Sequence, residues 1–298
     1  MEKTFVKSKE IIGHSGQIFS IAFDGNFIYS SSADKFVTRW DFHTGLQDKF
    51  AIRFEQSPYS ISLISNDEKL AVGLENGDLH IFDLRDRKEV KFYQQHKSGV
   101  FYLKENKSKN QFYSSDADGN LAVWNSDSLK LDVFLPFACG KIRRMSLNSD
   151  ESKLYLACQD GFVRVLETEF YNLIEEFFAH EGGTTSISLD RENENYVFTG
   201  GKDAYLKVWN LNSNQCDKII PAHNYAIYDI LFVQNETLVT ISRDKSIKIW
   251  DRESLRVLQK IDAKSKGHKH SVNSIVKLND SSFATASDDK TINYFSPI

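Results

Sequence analysis

SSSADKFVTRWD, residues 30–41, sets an Asp in a turn six residues ahead of a Trp that is itself followed by Asp. The runs on either side of the turn are rich in hydroxyl-bearing, β-branched and aromatic residues, the composition of strands, so the stretch reads as a hairpin. The arrangement returns as YSSDADGNLAVWN (113–125), FTGGKDAYLKVWN (198–210) and VTISRDKSIKIWD (239–251), with the pairs Asp34/Trp40, Asp118/Trp124, Asp203/Trp209 and Asp244/Trp250 at one fixed spacing. Relaxing Trp to any large apolar residue adds VGLENGDLHIFD (72–83), LACQDGFVRVLE (156–167) and TASDDKTINYFS (285–296). The seven anchors at 40, 82, 124, 166, 209, 250 and 295 lie 42, 42, 42, 43, 41 and 45 residues apart, the period of a four-stranded propeller blade. Helical periodicity is absent, and Asn76-Gly77, Asp118-Gly119 and Asp160-Gly161 are dipeptides that tolerate the left-handed backbone of a tight hairpin turn.

The bulk composition fits one large all-β domain. The chain has 298 residues, 41% hydrophobic and 26% charged, and only four prolines, with no Gly/Ser-rich or single-charge block to act as a linker. A formal net charge of −4 gives no whole-chain case for nucleic acid or an anionic membrane. Cys139, Cys158 and Cys216 are odd in number and scattered, which argues against a disulfide framework or a zinc site and for a reducing, cytoplasmic location. No apolar run approaches the roughly 20 residues that span a bilayer, and the opening MEKTFVKSKE lacks a signal-like core, so a soluble intracellular protein is expected.

Upstream of most hairpins stands a His, preceded by Gly at His14 and His268, by Ala at His180 and His223, and by Gln at His96. With the Gly-His pair early and the Trp-Asp pair late in each repeat, the whole chain resembles the WD-repeat β-propeller family. The resemblance implies an all-β ring of seven four-stranded antiparallel blades in one domain, 1–298, with repeats at roughly 13–54, 55–94, 95–136, 137–178, 179–220, 221–262 and 263–298. Segment 3–12 is expected to complete the last blade, because closing the ring removes exposed sheet edges.

Four repeats carry a His, a hydroxyl, an Asp and a Trp: His14/Ser30/Asp34/Trp40, His96/Ser114/Asp118/Trp124, His180/Thr199/Asp203/Trp209 and His223/Thr240/Asp244/Trp250. A hydrolase uses similar groups, but it needs one exposed hydroxyl and an oxyanion hole, whereas this set is copied from blade to blade. The resemblance implies a structural chain from indole N–H through hydroxyl and imidazole to carboxylate. The last repeat keeps His268, Thr285 and Asp289, but Phe295 has no N–H to give. The second and fourth carry Val72/Phe82 and Leu156/Leu166 and must rely on apolar packing.

In the resembling family, ligands meet the face formed by the His-bearing loops and hairpin turns. Five residues after each His, or its aligned site, stand Phe19, Tyr59, Phe101, Arg143, Thr185, Tyr228 and Asn273; neighbouring positions add Lys141, Lys202 and Arg243 beside Glu75 and Asp288. One side reads aromatic and the other basic, which suits a protein or peptide with acidic and apolar side chains. The alternative is that Phe19 and Phe101 plug the channel. Two rival functions stay open: an enzyme or a metal or small-ligand site in the channel, and phosphate or nucleic-acid binding through Lys141, Arg143, Lys202 and Arg243, with the basic loop at Lys264, Lys266, His268, Lys269 and His270 as a further patch. The expectation is a non-catalytic scaffold without cofactor or metal, either a monomeric propeller or a subunit of a complex, with nucleic acid and membrane disfavoured as partners.

Overall fold

The computed structural model describes residues 4–190, 193–233 and 237–298. Seven antiparallel sheets of four strands are arranged as a ring of blades. Blade one is built from Ile18–Phe23, Phe27–Ser32, Phe36–Asp41 and Gln47–Arg53, running outward from the axis in chain order. The same order recurs in the next five blades, whose innermost strands are Pro58–Ile64, Val100–Asn106, Ile142–Leu147, Thr184–Leu189 and Ile227–Val233. Blade seven takes three strands from the C-terminal end, starting with Val272–Asn279, and its outermost strand is Phe5–Ile12, paired with Thr291–Pro297 from Phe5↔Pro297 to Ile12↔Thr291. The closing segment therefore forms as expected; its expected start at residue 3 lies outside the described residues. The innermost strands of blades one and seven are neighbours, which shuts the ring.

Strand alternation explains where the core sits. Each blade turns one face toward each neighbour, and apolar residues from adjacent blades interlock: Tyr29, Val37 and Phe50 of blade one meet Ile61, Leu70 and Val72 of blade two in a single buried cluster. The described cysteines are unpaired, Cys139 and Cys158 buried and Cys216 half-buried.

One departure from regular pairing repeats seven times. Between the first and second strands the register skips one residue on the inner strand: between Ile18 and Ser20, Pro58 and Ser60, Val100 and Tyr102, Ile142 and Arg144, Thr184 and Ser186, Ile227 and Asp229, and Val272 and Ser274. A bulged residue is left out of the ladder and its side chain is re-aimed. The residues skipped are Phe19, Tyr59, Phe101, Arg143, Thr185, Tyr228 and Asn273.

Candidate functional site

The polar set of each repeat forms one continuous hydrogen-bonded chain. In blade six, Trp250 Nε1 donates to Thr240 Oγ1 at 2.9 Å, Thr240 Oγ1 lies 2.8 Å from His223 Nε2, and His223 Nδ1 lies 3.0 Å from Asp244 Oδ2. A carboxylate only accepts, so Nδ1 carries the proton, Nε2 accepts and the threonine hydroxyl donates. Burial keeps the His223 imidazole below its ordinary value, and so neutral, against the pull of Asp244. Blade one repeats the pattern through Trp40, Ser30, His14 and Asp34, and blade five through Trp209, Thr199, His180 and Asp203. Blade seven has His268 between Thr285 and Asp289, and Asn293, opposite Thr285 in the sheet, approaches the imidazole edge at 3.3 Å. Ser30, Ser114, Thr199, Thr240 and Thr285 are each fully buried, and four of them are held by an indole.

Blade three corrects one assignment. Its chain begins as expected: Trp124 Nε1 donates to Ser114 Oγ at 2.8 Å, and Ser114 Oγ lies 2.7 Å from His96 Nε2. The Trp124 indole is buried between the rings of Tyr93 at 4.4 Å and Phe112 at 6.0 Å, in the apolar core shared with blade two, so it anchors the network and offers no surface to a ligand. The far end differs. His96 Nδ1 bonds Asp116 Oδ2 at 2.9 Å, and Asp118 is not the imidazole's partner but stands in the turn. Asp116 stands at the strand end, wholly buried, where it also accepts the turn amides of Asp118 at 3.0 Å and Asn120 at 2.8 Å. With imidazole and turn both served from inside, Asp118 is left with neither to hold. The expected set His96/Ser114/Asp118/Trp124 is thus His96/Ser114/Asp116/Trp124.

Blade four departs differently. Arg164, across from Leu156, reaches Asp160 with both terminal nitrogens at 3.1 and 2.7 Å, so a guanidinium holds the turn Asp that a neutral imidazole holds elsewhere and the blade is not held by apolar packing alone. In the basic loop, His268 is withdrawn into its network, while Lys264, Lys269 and His270 are exposed.

All seven bulged side chains line one cavity of about 330 Å³ at the mouth of the central channel. Phe19, Tyr59 and Phe101 form its aromatic side, in edge and tilted contacts 5.2 Å apart. Across from them the Arg143 guanidinium lies 5.8 Å from the Phe101 ring and 5.5 Å from Tyr228, and Lys141 Nζ stands 4.1 Å over Phe101. Burial pulls the Arg143 guanidinium down, and burial together with Arg143 and Lys202 pulls the Lys141 ammonium down. Among the described residues Arg143 is in an ion pair with no carboxylate. A desolvated cation in such a place favours an incoming anion.

Lys202 is exposed and lies beside this cavity, lining a smaller one of about 90 Å³ with Lys141 and Arg143. Arg243 is exposed and lines neither; it sits 5.9 Å from the Tyr225 ring. Phe19 and Phe101 are half-buried walls, and the channel is bridged below them by a pair that the sequence analysis did not single out. Arg144, the residue after the bulge in blade four, crosses to Asp229 of blade six at 3.1 Å and donates to the Asn273 carbonyl of blade seven at 3.1 Å, while stacking 4.8 Å from Tyr102 of blade three. Burial raises the Asp229 carboxyl. Among the described residues no group of three or more His, Cys, Asp or Glu side chains is placed to hold a metal ion.

Comparison with known proteins follows the same divisions. The sequence profile of the family described as WD domain, G-beta repeat matches residues 5–41, 87–125, 171–210, 214–251 and 259–296, more than half of the chain. Each match joins the outermost strand of one blade, in whole or part, to the inner three strands of the next, and the inner strands so matched are those of blades one, three, five, six and seven, the five with a His-hydroxyl-Asp chain. The inner three strands of blades two and four are unmatched. Mouse Kinesin-like protein KIF21B is 23% identical over 256 residues, 84% of this chain and 14% of that protein. WD repeat-containing protein 55 of Arabidopsis thaliana is 19% identical over 260 residues, 85% of this chain and 73% of that protein. Human Pre-mRNA-processing factor 17 is 24% identical over 266 residues, 82% of this chain and 44% of that protein. The kinesin-like relatives are thus matched over a small part of their own length. With seven four-stranded blades, a closing N-terminal strand and the repeated polar chains all in place, this protein belongs to the WD-repeat β-propeller family.

Proposed function

We propose that the protein is a non-catalytic docking platform whose channel mouth on the His-loop face receives a protein or peptide with acidic and apolar side chains. Propellers of this family generally act as scaffolds for protein interaction. The observation that carries the finer reading is the sevenfold bulge: each blade gives up one ladder position to turn one side chain into a common cavity, where Phe19, Tyr59, Phe101 and Tyr228 supply aromatic rings and Arg143, with Lys141 beside it, supplies positive charge. Rigid rings bury large area at low entropic cost, and Arg143 offers a forked donor for a carboxylate. The hydroxyls that a hydrolase reading needs are fully buried and committed to imidazole, which supports a structural use for them. No helix among the described residues is long and apolar enough to cross a membrane, and a cytoplasmic location is retained as part of the proposal.

Arg143→Glu with Tyr59→Ala tests the site. The expected outcome is loss of partner recovery in a pull-down with an unchanged melting temperature, since both side chains are only half-buried and neither belongs to a polar network. Equal recovery by the variant removes this face. Retention of partner in high salt by the parent speaks against a phosphate-dominated contact, whose affinity falls steeply with ionic strength.

A further inference from the structure

Blade two replaces every member of the repeated polar chain. Five residues before the bulged Tyr59, where five blades carry His, stands Phe54; Val72 takes the hydroxyl position, Asn76 that of Asp and Phe82 that of Trp. Phe54 and Phe82 meet edge to face at 6.0 Å. His80, paired with Val72 in the sheet, sits 5.2 Å from Phe54 and 4.7 Å from Phe92 of the outermost strand. Beside these rings, on the rim of the blade and away from the channel, a cavity of about 380 Å³ opens to solvent. Phe92 at its mouth is 46% exposed.

The charge of this cavity is opposite to that of the channel mouth. Glu55, Asp78 and Glu89 line it against a single Arg53. Glu89 Oε1 meets His80 Nδ1 at 2.7 Å, and Asp78 accepts from the neutral amides of Asn76 at 2.7 Å and Gln94 at 3.3 Å. Among the described residues none of the three carboxylates is in an ion pair with Lys or Arg. Aromatic faces next to unneutralised carboxylates favour a cation carried on an aliphatic stem, which gains from ring and carboxylate together. A space of this size admits one long side chain.

We infer that the rim cavity of blade two is a second docking site, taking an arginine or lysine side chain from a basic segment of a partner polypeptide. The site shares no lining residue with the channel mouth and does not depend on the function proposed for it.

Titration of the intact protein with four capped tripeptides, acetyl-Gly-X-Gly-amide with X as Arg, Lys, Glu or norleucine, followed through the NMR signals of the His80 and Phe92 rings, tests the inference. The Arg and Lys peptides are expected to shift both rings saturably, and their relative affinities say which cation is preferred. The Glu peptide is expected to leave the rings unmoved, and norleucine to bind at least fivefold more weakly. Asp78→Asn with Glu89→Gln is expected to weaken the Arg peptide about tenfold, the loss of a hydrogen bond to a charged group, while Arg143→Glu leaves it unchanged. Equal binding of norleucine and Arg, insensitivity to the double amide variant, no saturable shift with any peptide, or loss of the shift on Arg143→Glu each overturns it. Both amide changes are isosteric and lie on partly exposed side chains, and an unchanged melting temperature confirms that the variant is folded.

Discussion

Thr240 is the hub of the blade-six network, and replacing it by the isosteric Val isolates the value of one hydroxyl. Thr240 is fully buried, accepts from Trp250 Nε1 at 2.9 Å and lies 2.8 Å from His223 Nε2. Thr240→Val keeps the shape and leaves two buried groups without partners, an indole donor and an imidazole acceptor. At about 1 to 3 kcal/mol for each stranded group, and with His223 still anchored to Asp244, the cost comes to about 3 kcal/mol. For a domain of this size that is a drop of about 5 °C in melting temperature. Blade two supplies the control, because Val72 there shares its blade with Phe54 and Phe82, with no polar group of the network left to strand. Copying it wholesale as His223→Phe, Thr240→Val, Asp244→Asn and Trp250→Phe is expected to recover at least half of what the single change loses, since removing all partners of a buried polar set is far cheaper than removing one. Urea unfolding of parent, single and quadruple variants measures both numbers. A single change within about 0.5 kcal/mol of the parent, or a quadruple variant weaker than the single, refutes the account of these residues as a cooperative buried network.

Two further outcomes follow from the networks. Asp116→Ala is expected to lower the melting temperature by several degrees, and Asp118→Ala by less than a degree, because only Asp116 holds His96 and the turn amides; equal effects would restore Asp118 as the imidazole partner. Acid should weaken the fold in two stages. Burial holds the His14 and His223 imidazoles down in the folded state, so as pH falls through about 6.5 the unfolded chain takes up those protons before the folded one does, and stability falls with pH. Burial by itself would raise the carboxyls of Asp34, Asp116, Asp203, Asp244 and Asp289, but the bonds from imidazole, backbone and side-chain donors outweigh it and hold them low, so their contribution is lost as pH falls below about 4. Asp229, raised by burial, opposes this second stage. A melting temperature that is flat or rising from pH 7 to pH 5 would show that the imidazoles are not buried neutral.

The fold was legible because each repeat states it independently, and a spacing that recurs seven times averages out local ambiguity. The partners of the networks were legible wherever His, hydroxyl, Asp and Trp kept their offsets. In blade three Ser114 and Trp124 did keep theirs, and only the acid moved: two acids two residues apart compete for one imidazole, and burial, which depends on the strand's end, picks Asp116. Blade four defeated the reading because an arginine on the neighbouring strand stands in for a histidine on a loop, and no offset within the motif reveals that. The convergence of Phe19, Tyr59, Phe101 and Arg143 could be anticipated from position alone, although its cause, a bulge at each of those residues, leaves no residue-type signature: Phe, Tyr, Arg, Thr and Asn all occupy it. Arg144 and Asp229 were missed because they face each other across the channel from blades far apart in sequence, and each looks like an ordinary polar residue beside a strand's hydrophobic run.

Hydrogen–deuterium exchange of the propeller with and without the partner recovered from the native cell tests the docking claim most directly. Protection centred on the bulged segments at 18–20, 58–60, 100–102, 142–144 and 227–229, and lost with Arg143→Glu and Tyr59→Ala, is the outcome this account predicts. Protection confined to the outer strands or to the opposite face, with those five segments unchanged, would contradict it.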